Sequence, residues 1–525
     1  MRLSPLCLAI SLTLLAGCQQ PQSRAEPDAV TVEVSAINAM LASAPPPQPD
    51  TERYEAHADN PIHQVANDPV STFSIDVDSG SYSNVRRMLL AGQRPPADAV
   101  RAEEMINYFD YGYPAPANRS APFKVSSEIA PAPWNAHHQL LQVGIQGYRI
   151  DAAEIPASNL VFLIDTSGSM QDEDKLPLLK RSFAELVRKL RPQDRVSIVV
   201  YAGSAGLVLA PTSGDRHDLI LGALDRLSAG GSTNGGDGLQ LAYATARSAF
   251  LAKGVNRVIL ATDGDFNVGT VNQQALETLV ADQRKSGIAL TTLGFGTGNY
   301  NDAMAEQLAD IGDGNHAYID SINEGRKVLV EELSSTMLTI AQDVKIQVEF
   351  NPAVVAEYRL IGYENRALNR EDFNNDKVDA GEIGAGHDVT ALYEITLVGS
   401  GGNSVDPLRY GKRVEASGKS GEIALLKLRY KKPGTTSSIL MQAPMRLADI
   451  RPQASDRLRW SAAVAAYADL LRGGKNVGNF SWDTVRALAA NSRGSDPWGY
   501  RAEFLDLVER ARRLTSSDAP LAVSE

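Results

Sequence analysis

At 525 residues the chain is long enough for two or three domains, and a hydrophobic fraction of 43% supplies ample core material. A formal net charge of −12 excludes a general nucleic-acid binder, which needs a concentrated basic face. The two cysteines, Cys7 and Cys18, both lie at the extreme N-terminus, so the remainder can form neither an internal disulfide nor a cysteine-ligated metal centre.

Arg2 precedes an apolar run through Leu6, Leu8, Ile10, Leu12, Leu14 and Leu15, and Leu15-Ala-Gly-Cys18 follows. The run is too short for a transmembrane helix. A positive start, an apolar core and small residues before a cysteine resemble a bacterial lipoprotein signal peptide over residues 1–18. That resemblance implies cleavage before Cys18 and lipidation of Cys18, with several acyl chains giving stable anchoring. Gln19 after it, in place of Asp, favours the outer membrane if the organism is Gram-negative. Residues 19–70 are rich in Gln, Pro, Ala and Asp, including Ala44-Pro-Pro-Pro-Gln-Pro49, and read as a disordered tether. Some fifty residues of this kind span roughly 40 Å root-mean-square.

An N-terminal flanking region is expected over 71–157. It starts with a strand at Phe73–Val77 and the turn-like Asp78-Ser-Gly80. A helix carrying Val85, Met88 and Leu89 and another over Ala102–Phe109 come next, then strands over Phe123–Ile129 and Gln139–Ile145. The texture then changes over 158–342. The β-rich apolar runs Leu160–Ile164, Val196–Val200, Val258–Ala261 and Ile288–Leu293 alternate with amphipathic stretches at Leu176–Leu190, His217–Leu227, Gly238–Leu251 and Gln273–Gln283. Further helices are predicted over Asp302–Ile311 and Gly325–Ile340. Apolar strands separated by helices imply a doubly wound, mostly parallel α/β sheet covered on both faces. Leu207-Val-Leu-Ala210 reads as an antiparallel edge strand.

Alternation returns over 343–450, at Val344–Phe350, Ala391–Leu397 and Ala424–Tyr430. With similar strands on both sides, the α/β domain is expected to be inserted in a flanking β-sandwich. A C-terminal helical region follows over 451–515. Trp460, Val464, Tyr467 and Leu471 share one face, Gly473-Gly474 is a stop, Ser481 is an N-cap, and Asp496-Pro497 opens the last helix.

Three segments carry the chemistry: Asp165-Thr-Ser-Gly-Ser169, Gly230-Gly-Ser-Thr233 and Thr262-Asp263-Gly264. In an open α/β sheet, ligands collect beyond the carboxyl ends of the strands, where Asp165 and Asp263 fall. Asp165, Ser167, Ser169, Thr233 and Asp263 offer two carboxylates and three hydroxyls. All are hard oxygen donors suited to Mg²⁺ or Mn²⁺. The alternative has Asp165 and Ser167 merely capping the helix that begins near Lys175. Asp172-Glu-Asp174 is a weaker second cation candidate, against the commoner role of complementing a helix N-terminus. Asp372, Asn374, Asp376, Asp379 and Glu382 superficially follow a calcium loop. Lys377 and Ile383 stand where that loop needs glycine and glutamate, so a solvated turn is the better fit. Asp76-Val-Asp78-Ser-Gly80-Ser81 likewise reads as a turn before a calcium contact.

The five-residue pattern resembles the metal-ion-dependent adhesion site of von Willebrand factor type A domains. The stretch Phe73-Ser-Ile-Asp-Val-Asp78-Ser-Gly-Ser-Tyr82, residues 372–395 and the tryptophan-bearing helices resemble the bacterial YfbK-like lipoproteins. The resemblance implies that the three hydroxyls coordinate the cation and that the two carboxylates ligate it directly or through water. It further implies an open position for an Asp or Glu of a partner protein. The expectation is therefore an envelope lipoprotein, lipid-anchored with its globular part periplasmic or extracellular, that binds protein through a cation. A structural assembly factor with the metal secondary is the alternative, and a metal-dependent hydrolase a weaker one. No catalytic residue is nominated: Ser167 stands where a haloacid-dehalogenase phosphatase needs a second carboxylate. There is no Walker loop, and no histidine motif supports a serine nucleophile.

Overall fold

A computed structural model describes residues 54, 56–75, 78–231, 235–264, 273–297, 302–332, 338–406 and 421–517. Cys18, the signal-like segment, most of the tether and Thr233 lie outside them. Among the described residues no helix is long and apolar enough to cross a membrane.

Six strands form the central sheet, in the order His316–Ile319, Ala289–Phe295, Val255–Thr262, Ser158–Asp165, Arg195–Tyr201 and Ala205–Ser213. The first five run parallel and the last is antiparallel, as expected for the Leu207–Ala210 edge. All eight residues of Ser158–Asp165 are buried because helices cover both faces of the sheet. Leu160, Phe162 and Ile164 pack on one side with Leu179 and Phe183 of helix Leu176–Val187 and with Ile220 of helix His217–Asp225. Val161 and Leu163 pack on the other with Leu239, Leu276 and Leu308, from helices Gly235–Ser248, Gln273–Lys285 and Asp302–Ile311. A fully buried aliphatic side chain of this kind contributes about 1.5–3 kcal/mol, which makes the continuous apolar run the main determinant of the strand.

The flanks build two antiparallel sheets, and each takes strands from both sides of the α/β domain. One runs His63–Gln64, Val355–Ile361, Asp388–Leu397, Asn135–Gly147, Phe123–Ala132. In the other, Thr339–Phe350 is paired with Val70–Ser74, Glu422–Lys431 and, at its start, Ile383–Gly384; Ser438–Arg446 forms the outer edge. Leu141, Val143 and Ile145 of the first sheet share a core with Ile346, Val348 and Leu426 of the second. The α/β domain is thus inserted in a β-sandwich.

Helices Asp456–Leu471, Trp482–Ala490 and Tyr500–Ser517 pack with Gly80–Leu90 and Ala102–Asn107 around Trp460, whose ring lies 5.1 Å from Phe109 and 5.3 Å from Phe504. Ser481 accepts from the Thr484 N–H as an N-cap. Three expectations need correction. The tether does not run to residue 70, because His63–Gln64 already pairs with Val355–Ile361 and Val65 is buried. The last helix starts at Tyr500, not at Asp496; the Asp496 carboxylate caps it from outside, accepting from the N–H groups of Arg501 and Ala502 at 3.1 and 2.8 Å. The helix expected over Gly325–Ile340 also differs. It spans Ile322–Arg326, continues as a π-turn over Lys327–Glu331, and a strand has begun by Thr339.

Buried charges join the sandwich side to the α/β domain. Arg86 donates to Asp320, to Glu324 at 2.7 Å, to Glu503 at 3.0 Å and to the Tyr108 hydroxyl at 2.9 Å. Asp78 accepts from the His316 N–H at 2.9 Å and faces Arg366 at 3.4 Å. The described part of the Asp76–Ser81 turn is therefore an interdomain clasp.

Candidate metal centre

Strands Ser158–Asp165 and Val255–Thr262 are neighbours in parallel register, with Ile164 opposite Ala261. Asp165 ends the first and Asp263 follows the second, so both carboxylates stand on one rim of the sheet. Each of the two residues is fully buried. Asp165 Oδ1 accepts from the Ser167 N–H at 2.8 Å, and Oδ2 faces the Thr262 hydroxyl at 3.4 Å. Burial pushes Asp165 up to about 6, with the Asp263 charge adding to it and the Ser167 N–H opposing. A carboxylate so poorly solvated gains strongly from a nearby cation.

Ser167 and Ser169 bring their hydroxyls within 3.0 Å of each other, the first buried and the second exposed. Neither Asp165 nor Ser167 caps the following helix, whose N-cap position is Lys175 with no side-chain capping bond. The capping alternative is thereby removed. Thr233 is outside the described residues, but both neighbouring stretches are held against this rim. Gly230 donates to the Thr166 carbonyl at 2.8 Å, and Gly168 donates to that of Gly231 at 3.0 Å. Gly231 has φ +92°, a turn conformation open to glycine. On the far side, a Cβ at Gly238 would come within 2.8 Å of Tyr201, so only glycine lets helix Gly235–Ser248 approach the rim this closely.

Asp263 divides its two oxygens. Oδ2 accepts from the Lys175 ammonium at 3.0 Å, whereas Oδ1 is buried with no hydrogen-bond partner among the described residues. An unsatisfied buried carboxylate oxygen is costly. With the Ser167–Ser169 hydroxyl pair beside a second buried carboxylate, it fits a hard divalent cation. Sequence reasoning missed Lys175. Its only local signal is its place directly after the acidic run Asp172-Glu-Asp174.

The other acidic candidates lead elsewhere. Asp172 and Glu173 are exposed, and among the described residues no group of three or more His, Cys, Asp or Glu side chains is placed to hold a metal ion. In the calcium-like turn, Asp379 pairs with Arg284 at 2.7 Å, Lys345 donates to the carbonyl of Asn375 at 2.6 Å, and Lys431 to that of Asp376 at 2.7 Å. Basic side chains hold this turn together.

Comparison with known proteins agrees with this architecture. The family model of the von Willebrand factor type A domain matches residues 159–329, one described as von Willebrand factor matches 48–142, and one for the C-terminal part of the uncharacterized protein YfbK matches 335–514. The chain is 49% identical over 475 residues to the uncharacterized protein YfbK of Escherichia coli (strain K12), spanning 89% of this chain and 82% of that one. A solved von Willebrand factor type A protein from Catenulispora acidiphila is 15% identical with a TM-score of 0.39, covering 73% of this chain and 89% of its own. A mussel byssus thread matrix protein, solved with zinc in its metal-ion-dependent adhesion site, is 22% identical with a TM-score of 0.28, covering 34% of this chain and 45% of its own. Von Willebrand factor A domains commonly bind proteins through such a site. With a sandwich woven from both flanks, an inserted α/β domain and C-terminal helices, the chain belongs to the YfbK family of von Willebrand factor type A domain proteins.

Proposed function

We propose that this chain is a cell-envelope lipoprotein that binds an acidic side chain of a partner protein through a divalent cation, Mg²⁺ or Mn²⁺, without catalysing a reaction. The observation that carries the reading is Oδ1 of Asp263, without a hydrogen-bond partner among the described residues and buried on the same rim as the Asp165 carboxylate and the Ser167–Ser169 hydroxyl pair. Ser167, Ser169 and Thr233 would hold the cation through hydroxyls, and Asp165 and Asp263 through carboxylates or intervening water. The cation would supply a positive centre for an outside carboxylate. The protein's own part is orientation. The Ser167 N–H fixes Asp165, the buried strand ends exclude water from behind, and the exposed Ser169 marks the side from which a partner approaches. Two carboxylates offset the charge of a dication and leave the approaching acid to set the specificity.

The lipid anchor at Cys18 and the tether after it, which ends before the sheet strand His63–Gln64, would hold the globular part clear of a membrane surface, the outer membrane if the organism is Gram-negative. Calorimetry on the full chain tests the metal reading. Mg²⁺ or Mn²⁺ should bind the wild type and fail to bind Asp165→Ala, whose circular dichroism stays native; equal affinity in the variant rejects it. Affinity capture from native envelopes should then recover a partner in Mg²⁺ that is lost in EDTA. Cys18→Ser should move the protein from the membrane to the soluble fraction.

A further inference from the structure

Lys175 lies where helix Leu176–Val187 begins, yet its ammonium turns inward to Asp263 Oδ2 at 3.0 Å. Its side chain is 6% exposed and that of Asp263 is 0%. A buried ammonium is held only where it is paired and its stem is accommodated. The fold provides a track for that stem. A Cβ at Gly296 would fall 2.3 Å from both Cγ and Cε of Lys175, and Gly296 has φ +74°. The Gly296 carbonyl is held in turn by the Tyr318 hydroxyl. Lys175 uses one oxygen of Asp263 and leaves the other, Oδ1, on the metal rim. Ammonium and cation therefore need not exchange places.

The charges then add up in a specific way. Two carboxylates, Asp165 and Asp263, against one ammonium leave the bare site with a single negative charge. A bound dication turns that into a single positive charge, and one incoming carboxylate brings it to zero. Without Lys175 the loaded site would already be neutral and an acid would gain less on arrival. Repulsion between the buried ammonium and the metal also weakens cation binding, since little solvent lies between them.

We infer that Lys175 is a built-in counter-charge of the metal centre, lowering its affinity for the cation and raising the affinity of the loaded site for an anionic group. The inference rests on the cation-site reading above. Mn²⁺ titrations of the full chain by calorimetry test the first half. Lys175→Met should bind Mn²⁺ about tenfold more tightly than wild type, as removal of a buried like charge predicts. Gly296→Ala, which crowds the lysine stem off its track, should shift the affinity in the same direction and serves if Lys175→Met does not fold. The second half is read by titrating acetate onto the Mn²⁺-loaded proteins and following water-proton relaxation. Acetate should displace bound water from wild type at lower concentration than from Lys175→Met. Equal or weaker Mn²⁺ binding by both folded variants, or unchanged acetate affinity, overturns the role of Lys175 and leaves the site intact. Failure of the wild type to bind Mn²⁺ removes the site itself and Lys175 with it.

Discussion

Gly168 donates its N–H to the carbonyl of Gly231 at 3.0 Å, joining two loops that are more than sixty positions apart in the chain. This bond, with the one from Gly230 to the Thr166 carbonyl, holds Gly230 and Gly231 against the loop that follows Asp165.

Replacement of Gly231 by alanine tests that linkage. The nearest atoms to an added Cβ are 3.5 Å away, so space is available, but φ +92° is strained for any side chain. The expected cost is about 1–2 kcal/mol of stability. If the loop relaxes to escape the strain, Thr233 moves and Mn²⁺ affinity falls several-fold. Denaturant unfolding and calorimetry on the same variant separate the two effects.

The proposed cation site ties metal binding to stability. Asp165 is buried and pushed up to about 6, so the metal-free protein retains an ill-solvated carboxylate. A cation that binds only the folded state should raise the melting temperature, by a stabilisation of about 2.7 kcal/mol at one hundred times its dissociation constant. Scanning calorimetry with and without Mn²⁺ should show that increment in wild type and its loss in Asp263→Asn.

Arg86 is the keystone of the junction between sandwich, α/β domain and C-terminal helix. Its side chain is 2% exposed and meets Asp320, Glu324 and Glu503. Arg86→Met leaves carboxylates buried without their counter-ion, and about 3–5 kcal/mol of stability should be lost. Chemical unfolding measures the loss; a change below 1 kcal/mol would mean that the junction contributes little.

Asp388 gives a pH dependence of known sign. Burial, with the nearby Asp110 charge, pushes its carboxyl up to about 7, against an N–H bond from Tyr111. A carboxylate whose folded value is raised opposes folding while ionised. Its contribution therefore improves as pH falls through 7 towards the unfolded value near 4. Asp388→Asn should stabilise the protein by about 2 kcal/mol at pH 8, a figure discounted because the residue is only half-buried. The gain should shrink steadily between pH 8 and pH 4 in paired unfolding curves.

Much of this was legible in the residues. Asp165 ends an unbroken apolar run, and such a run in a parallel sheet points its final residue to the ligand-binding rim. The strand Val355–Ile361 escaped notice because Glu357 and Arg359 interrupt its apolar pattern. Both are buried, Glu357 accepting from the N–H groups of Ser404 and Val405, and Arg359 donating to Glu394. Periodicity cannot reveal a charge that is satisfied by a distant partner. Ser438–Arg446 was missed for the opposite reason: it is an edge strand with Ile439 and Leu440 exposed and a proline at 444, so neither face reads as core. Lys175 pairs with a residue 88 positions away, a relationship with no local signature.

The weave of the sandwich also dictates an order of assembly. Strands Val70–Ser74 and Asn135–Gly147 leave the ribosome long before their partners Thr339–Phe350 and Asp388–Leu397 exist. The inserted α/β domain can complete its own sheet in that interval, as domains generally do during synthesis. Once complete, it brings its two ends together as a stiff connector. The early strands are thereby delivered to the late ones, and a search across roughly 250 residues becomes a short closure. Damage to the α/β core should accordingly appear first as half-built, aggregation-prone sandwich in nascent chains.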